Sequence, residues 1–331
     1  MSTRRVLITV PERSDIFQAD IMSDLESSAE VIHNELGRAF TTAEVAERAA
    51  DCDAVITSWG SAAIDMSVVE AAPKLRIISH AAGSIKHLFG EEIFEAGVTI
   101  TNAASVMATY VGEFALALTL TMMRTLPRYA FGAPHGAWDD ILCAGNETLY
   151  GKTVGIIGLS HTGRAFLRLL APFNCNVIVY DPYASENAAE DLGIKLVCLE
   201  ELLSSSKVIS LHAPITEETK GMLGADKLKL ISNGAVFINT ARGILIDHDA
   251  LASELSSGRF KAALDVTWPE PLPQDHALRR LPNVFIAGHI AGPTTDGRRD
   301  MFRCVVDDLK LFWAGERPKN LVTRQMLRTM A

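Results

Sequence analysis

Short runs of Val, Ile and Leu recur along the chain, separated by Ala- and Glu-rich stretches with helical spacing. VLITV (6–10), AVIT (54–57) and RIIS (76–79) read as strands, with the polar stretch Thr41 to Ala50 as a helix. The apolar-periodic segment Ser105 to Arg124 predicts a helix of about five turns. Residues 127–150, rich in Gly, Pro and Trp, read as a connecting arm. From Gly151 the alternation resumes with strand TVGIIG (153–158), helix Thr162 to Leu170 and strand NVIVYD (176–181). KLV (195–197), VISLH (208–212), AVFINT (235–240), KAALDV (261–266) and NVFIA (283–287) follow, with helices between them. Near-continuous Val/Ile runs suit strands covered on both faces. Their alternation with helices predicts α/β architecture with parallel, doubly wound sheets. Asp296 to Trp313 reads as a closing helix, with Gly315 at its C-terminal end.

The 331 residues suffice for about two domains. With 48% hydrophobic and 21% charged residues, the composition excludes a disordered, collagen-like or coiled-coil chain. Lys plus Arg number 31 against 40 Asp plus Glu, a net charge of −9, which argues against a nucleic-acid partner. The most apolar stretch, Phe114 to Met123, is short and interrupted by threonines, so no membrane segment is expected. The apolar run VLITV after the basic start is only five residues and stops at Pro11-Glu12-Arg13, too short for a signal peptide. Five scattered cysteines without a CxxC read as reduced thiols of a cytoplasmic protein, and no metal site is expected.

Chemistry concentrates at strand ends. Gly158-Leu159-Ser160-His161-Thr162-Gly163 fits GxGxxG at its first and third glycines only. The first glycine permits the tight turn and the third lets the helix pack on the strand. Ser160 stands where backbone normally approaches a pyrophosphate. Asp181 ends the next strand, where a carboxylate accepts from an adenosine ribose and repels a 2′-phosphate; NAD is thereby favoured over NADP. The structural alternatives are a plain strand-to-helix turn and, for Asp181, a cap before Pro182. Arg242, Glu270 and His289 follow three later strands, at the edge where open α/β sheets bind ligands.

Taken together, GKTVGIIG (151–158), Asp181-Pro182, LHAPITEETKGML (211–223), INTARGILID (238–247), ALDVTWPEPLP (263–273) and LPNVFIAGHIAG (281–292) carry a resemblance. The chain resembles the D-isomer-specific 2-hydroxyacid dehydrogenases, the family of glyoxylate/hydroxypyruvate reductases and phosphoglycerate dehydrogenases. The resemblance implies that Arg242, Glu270 and His289 are catalytic. It also implies that NAD(H) contacts Gly158, Ser160, His161, Thr162, Gly163, Asp181, Ala213, Pro214, Thr240, Ala241, Arg242, Asp265, His289, Ala291 and Gly292. Trp59, Ala82, Gly83, Ser84 and Arg242 are implied as substrate contacts. The chemistry fits independently. Reducing a 2-keto acid needs a hydride at carbon and a proton at oxygen; His289 can supply the proton, Glu270 can stabilise the imidazolium, and Arg242 offers a planar fork to a carboxylate. Four departures stand out: Ser160, Gly288 in place of a proline before the histidine, Lys86-His87 after the glycine loop without the usual aspartate, and Trp268 where Phe or Tyr is commoner.

By resemblance the fold comprises two Rossmann/flavodoxin-like domains with the active site in the cleft between them. Residues 1–102 plus 297–331 would form a discontinuous substrate-binding domain, and 103–296 the NAD-binding domain. The apolar helix and the arm suggest a homodimer. The other reading is an NAD(H)-sensing, corepressor-like protein on the same fold; catalytic turnover discriminates the two.

Overall fold

A computed structural model of the chain describes residues 4–11, 16–132 and 145–330. Their strands are β1 (Arg5–Pro11), β2 (Glu30–Asn34), β3 (Ala54–Thr57), β4 (Ile77–His80), β5 (Thr99–Asn102), β6 (Thr153–Ile157), β7 (Asn176–Tyr180), β8 (Lys195–Leu196), β9 (Val208–Leu211), β10 (Val236–Asn239), β11 (Lys261–Leu264), β12 (Val284–Ile286) and β13 (Leu321–Val322). One sheet has the order β13-β5-β4-β3-β1-β2, with β13 antiparallel to β5. The other runs β12-β11-β10-β9-β6-β7-β8, parallel throughout. Packing divides the chain into two compact units, Met1–Met107 with Pro293–Met330, and Ala108–Gly292.

In the first unit, side chains alternate between the two faces of the sheet, as a period of two requires. Leu7, Val55, Ile78 and Ile100 join one core layer, while Val6, Ile8, Ile56 and Ile77 join the other. The second layer is covered by the helix Thr295–Trp313, whose Phe302, Val305, Val306 and Leu309 keep helical spacing. Thr294 caps that helix by accepting from the Gly297 N–H at 2.9 Å, and Gly315 leaves it at φ 77°. Asp308, 1% exposed, accepts from the Lys319 and Asn320 N–H groups and turns the chain back toward β13.

The second unit repeats the scheme. Ile157, Ile209, Leu211, Phe237 and Leu264 face one layer, and Val154, Ile156, Val208, Val236 and Ile238 the other. Helix Ala104–Met123 runs into this unit and buries Ala108, Val111, Gly112, Ala115, Leu118, Thr119, Met122 and Met123. A Cβ on Gly112 would stand 2.9 Å from that of Ala165, so the glycine lets this helix lie close against His161–Leu170.

Some sequence expectations change. Helix Ala104–Met123, with a mean hydropathy of 1.5, is long and apolar enough to cross a membrane. The sequence expectation had allowed no such segment, because it weighed the threonines and only the stretch from Phe114. The buried side chains just named are those of a core helix. β2, β5 and β13 were not expected from hydrophobic runs. Of the arm 127–150, residues 133–144, including Cys143, lie outside the described residues. Cys52, Cys175, Cys198 and Cys304 are free. Burial pushes the Cys52 thiol up to about 11 and the Cys304 thiol up to about 12, which makes both inert nucleophiles.

Candidate active site

The turn after β6 is shaped by its glycines. Gly158 has φ 94°, and a Cβ there would come within 2.6 Å of the Ala213 nitrogen. A Cβ on Gly163 would strike the Gly158 carbonyl oxygen. Only glycine therefore fits at either end of the turn. Ser160 is the N-cap of helix His161–Leu170; its hydroxyl accepts from the Gly163 N–H at 3.3 Å and donates to the His212 carbonyl at 2.9 Å. The serine in the place of the middle glycine thus turns its side chain into the protein. Asp181, just after β7, accepts from the Leu159 N–H at 2.6 Å and the Tyr183 N–H at 2.8 Å. It fastens the turn to the next strand, and each carboxylate oxygen retains capacity for a further donor. His161 opens the helix; burial, then Arg164 and Arg168, hold its imidazole below the usual range. Backbone N–H groups at the start of a ten-residue helix, in a cradle kept open by glycines, suit a diphosphate.

The turn after β10 is built on Asn239. Its side chain accepts from the Ala241 N–H at 2.9 Å and donates to the Arg242 carbonyl at 3.0 Å. Thr240 lies beside it, 6% exposed, with its hydroxyl buried and unpartnered among the described residues. That orphaned hydroxyl fits a bound polar group such as a ribose or carboxamide. Gly243 lets this turn touch the next one: a Cβ would collide with the Thr267 carbonyl and approach the Trp268 nitrogen at 2.6 Å. Arg242 donates from Nη1 to the Ala241 carbonyl at 2.7 Å. Burial lowers the affinity of its guanidinium for a proton, and nearby Glu270 opposes that effect. A guanidinium stays charged regardless.

His289 and Glu270 meet across two loops. His289 Nδ1 and Glu270 Oε1 are 2.6 Å apart, with the side chains 48% and 39% exposed. His289 Nε2 has no protein partner among the described residues. The histidine has φ 62° and follows Gly288 at φ 87°, a left-handed pair that is uncommon for a side-chain-bearing residue. Asp265, 2% exposed, holds it there. The Asp265 carbonyl accepts from the His289 N–H at 2.6 Å, and its carboxylate accepts from the Ile290 and Ala291 N–H groups at 2.8 and 3.2 Å. Although no proline precedes His289, the loop is therefore tied at three consecutive residues. A cavity of about 580 Å³ opens here, bordered by Asp265, Thr267, Glu270, Leu272, Arg279 and Ala287.

The remaining candidates fall where strands end or loops turn. Pro214 is half-buried, and Ala291 and Gly292 are buried just after the His289 loop. In the first unit, Trp59 follows β3 and is 38% exposed. Ala82 and Gly83 are buried and Ser84 half-buried. The Ala82 carbonyl accepts from the Ala103 N–H at 2.9 Å and the Gly83 carbonyl from Asn102 at 2.8 Å. The N–H groups of Ala82, Gly83 and Ser84 find no protein acceptor among the described residues, a cluster of donors that suits an anion. His80, at the end of β4, shares a hydrogen bond with Thr57 at 2.9 Å, and its Nε2 is buried without a partner. Burial foremost, then His87, pushes it down to about 3.

Sequence reasoning overlooked the Asn239 hook, the tight Gly243 contact and the role of Asp265 in holding the His289 loop. An Asn directly after a strand is a turn signal that could have marked the first. The other two depend on contacts between separate loops.

The family model for the D-isomer specific 2-hydroxyacid dehydrogenase, NAD binding domain, matches residues 116–291. A glyoxylate reductase of Korarchaeum cryptofilum is 36% identical over 289 residues, 86% of each chain. A D-3-phosphoglycerate dehydrogenase of Methanocaldococcus jannaschii is 32% identical over 320 residues, covering 96% of this chain but only 59% of the relative. The crystal structure of a phosphoglycerate oxidoreductase from Rhizobium etli matches with a TM-score of 0.80 at 26% identity, over 96% of this chain and 98% of its own.

Proposed function

The chain belongs to the D-isomer-specific 2-hydroxyacid dehydrogenase family, NAD-dependent oxidoreductases, and from there we propose that it reduces a small 2-keto acid to the D-2-hydroxy acid with NADH. Glyoxylate and hydroxypyruvate are the first substrates to try, since a 36% identical relative is named a glyoxylate reductase. The observation that carries the reading is the 2.6 Å contact between His289 Nδ1 and Glu270 Oε1.

With its Nδ1–H donated to Glu270, His289 presents Nε2 as the acid that protonates the substrate oxygen, or the base in reverse. Glu270 fixes the ring and stabilises the imidazolium form. Arg242, anchored through one nitrogen, has donors left for the substrate carboxylate and carbonyl oxygen. Asp265 keeps the His289 loop in register. Bound NADH supplies the hydride. The glycine cradle, the Ser160-capped helix and Thr240 would hold the cofactor, and Asp181 its adenosine ribose, which favours NADH over NADPH. The first unit would be the substrate-binding domain, with the free N–H groups of Ala82, Gly83 and Ser84 as carboxylate donors and Trp59 as a wall. A cytoplasmic homodimer belongs to the same reading, supported by the apolar helix Ala104–Met123; light scattering giving a ~36 kDa monomer would oppose it.

The test is NADH oxidation against glyoxylate, hydroxypyruvate, pyruvate, phenylpyruvate and branched-chain keto acids. Turnover on any of them supports the proposal and ranks the pocket by size. NADH binding with no turnover across the panel would overturn it.

A further inference from the structure

Two loops at the carboxyl edge of the second sheet are joined by one side chain. Tyr183 follows β7; its backbone N–H is bound by Asp181 at 2.8 Å, and its hydroxyl donates to Glu218 Oε2, also at 2.8 Å. Glu218 lies in the loop after β9, the same loop that carries Ala213 and Pro214. That loop is stiff. The Thr219 hydroxyl donates to the Pro214 carbonyl at 2.7 Å and accepts from the Thr216 N–H at 2.8 Å, and the Lys220 N–H reaches the Thr216 carbonyl at 3.1 Å. Glu218 is therefore an exposed carboxylate held in place, linked through Tyr183 to Asp181. Its neighbour Glu217 is paired with Lys220. Neither Glu218 nor Asp181 has a cationic partner among the described residues.

We propose that Glu218, oriented by Tyr183, is a second determinant of nucleotide choice: with Asp181 it makes the adenosine end of the cofactor site too negative to admit a 2′-phosphate. This rests on the reading that the dinucleotide binds at the Gly158–Gly163 turn with its ribose at Asp181. NADH and NADPH differ only by that phosphate, a near-dianion at neutral pH. Two fixed, unneutralised carboxylates repel it additively, whereas the ribose hydroxyls of NADH meet Asp181 alone. Tyr183 contributes by holding the second charge, not by contacting the phosphate.

The test is equilibrium binding of NADH and NADPH to the full chain, read by nicotinamide fluorescence. Removing one of two like charges near a dianion should lower the ratio of Kd(NADPH) to Kd(NADH) about three- to tenfold in Glu218→Gln. The change should lie in NADPH, with Kd for NADH held within about twofold. Glu218→Asp, which keeps the charge but draws it back from Tyr183, should lower the ratio less than Glu218→Gln does. Tyr183→Phe, which retains the charge but frees it, should fall between wild type and Glu218→Gln. Added salt should narrow the wild-type ratio more than that of Glu218→Gln. An identical ratio in wild type and Glu218→Gln, with NADH still bound, would overturn this inference and leave the cofactor site standing. Failure of the wild type to bind either nucleotide would overturn both.

Discussion

Replacing Asp265 with Asn tests whether His289 is held in place by this buried carboxylate. The carboxylate accepts two backbone N–H groups, those of Ile290 and Ala291, and is 2% exposed. Asn keeps one acceptor and turns an NH₂ toward the other N–H. A buried donor left unmet costs about 1–3 kcal/mol. His289 sits at φ 62°, a conformation that itself costs an L-residue roughly 1–2 kcal/mol. With about 2 kcal/mol of support removed, the left-handed form loses roughly a factor of thirty against extended alternatives. The N–H of His289 still meets the backbone carbonyl of residue 265, so the loop is weakened and not released. The expected result is a fall in kcat of about ten- to a hundredfold, with NADH affinity changed far less. Hydrogen exchange at residues 289–291 should speed up in parallel. A kcat within twofold of wild type, with unchanged exchange there, would refute the idea that Asp265 holds the loop.

Three other outcomes follow from the same geometry. Arg242→Lys keeps the charge but loses the planar fork, so kcat/KM for the keto acid should drop about a hundredfold while Kd for NADH stays near wild type; equal kinetics would remove Arg242 from substrate binding. Gly158→Ala forces a Cβ to 2.6 Å from the Ala213 nitrogen at φ 94°, and should cost about 3 kcal/mol of stability with loss of NADH binding, read by chemical denaturation and a fluorescence titration. His80 and His212 are both pushed by burial to about 3 and stay neutral in the folded chain. Below about pH 6.5 the unfolded chain takes up protons there that the folded chain refuses, so stability falls as pH drops from 6.5 toward 3. From pH 7 to pH 5 the pair should cost about 4 kcal/mol; denaturant midpoints that are level across that interval would contradict it.

The strands that could be read from sequence were those with uninterrupted Val and Ile. β3 was found at its own residues, and the strands after Gly151 to within two at either end, because burial on both faces leaves only such side chains. β5 (TITN) escaped because two of its three buried positions, Thr101 and Asn102, are polar. Thr101 donates to Ser79 at 2.8 Å and Asn102 to Gly83, so hydrogen bonds satisfy what hydrophobicity does not announce. β2 escaped because it is an edge strand with mostly half-exposed residues. The placement of Arg242, Glu270 and His289 beyond strand ends was legible because each stands a few residues after a clear strand. Ser160 could not be judged from sequence, since whether its side chain blocks the turn or caps the helix depends on where the His212 carbonyl lies. Asp265 and Gly243 act through backbone atoms of loops distant in the chain, and no local pattern records such contacts.

The most direct measurement compares wild type with His289→Gln, following NADH oxidation with glyoxylate or hydroxypyruvate beside NADH binding by fluorescence. If His289 delivers the proton, turnover should fall by about two to four orders of magnitude while the cofactor still binds. Undiminished turnover in the variant would contradict the assignment of His289 as the acid, and with it the chemistry proposed for the Glu270 pair.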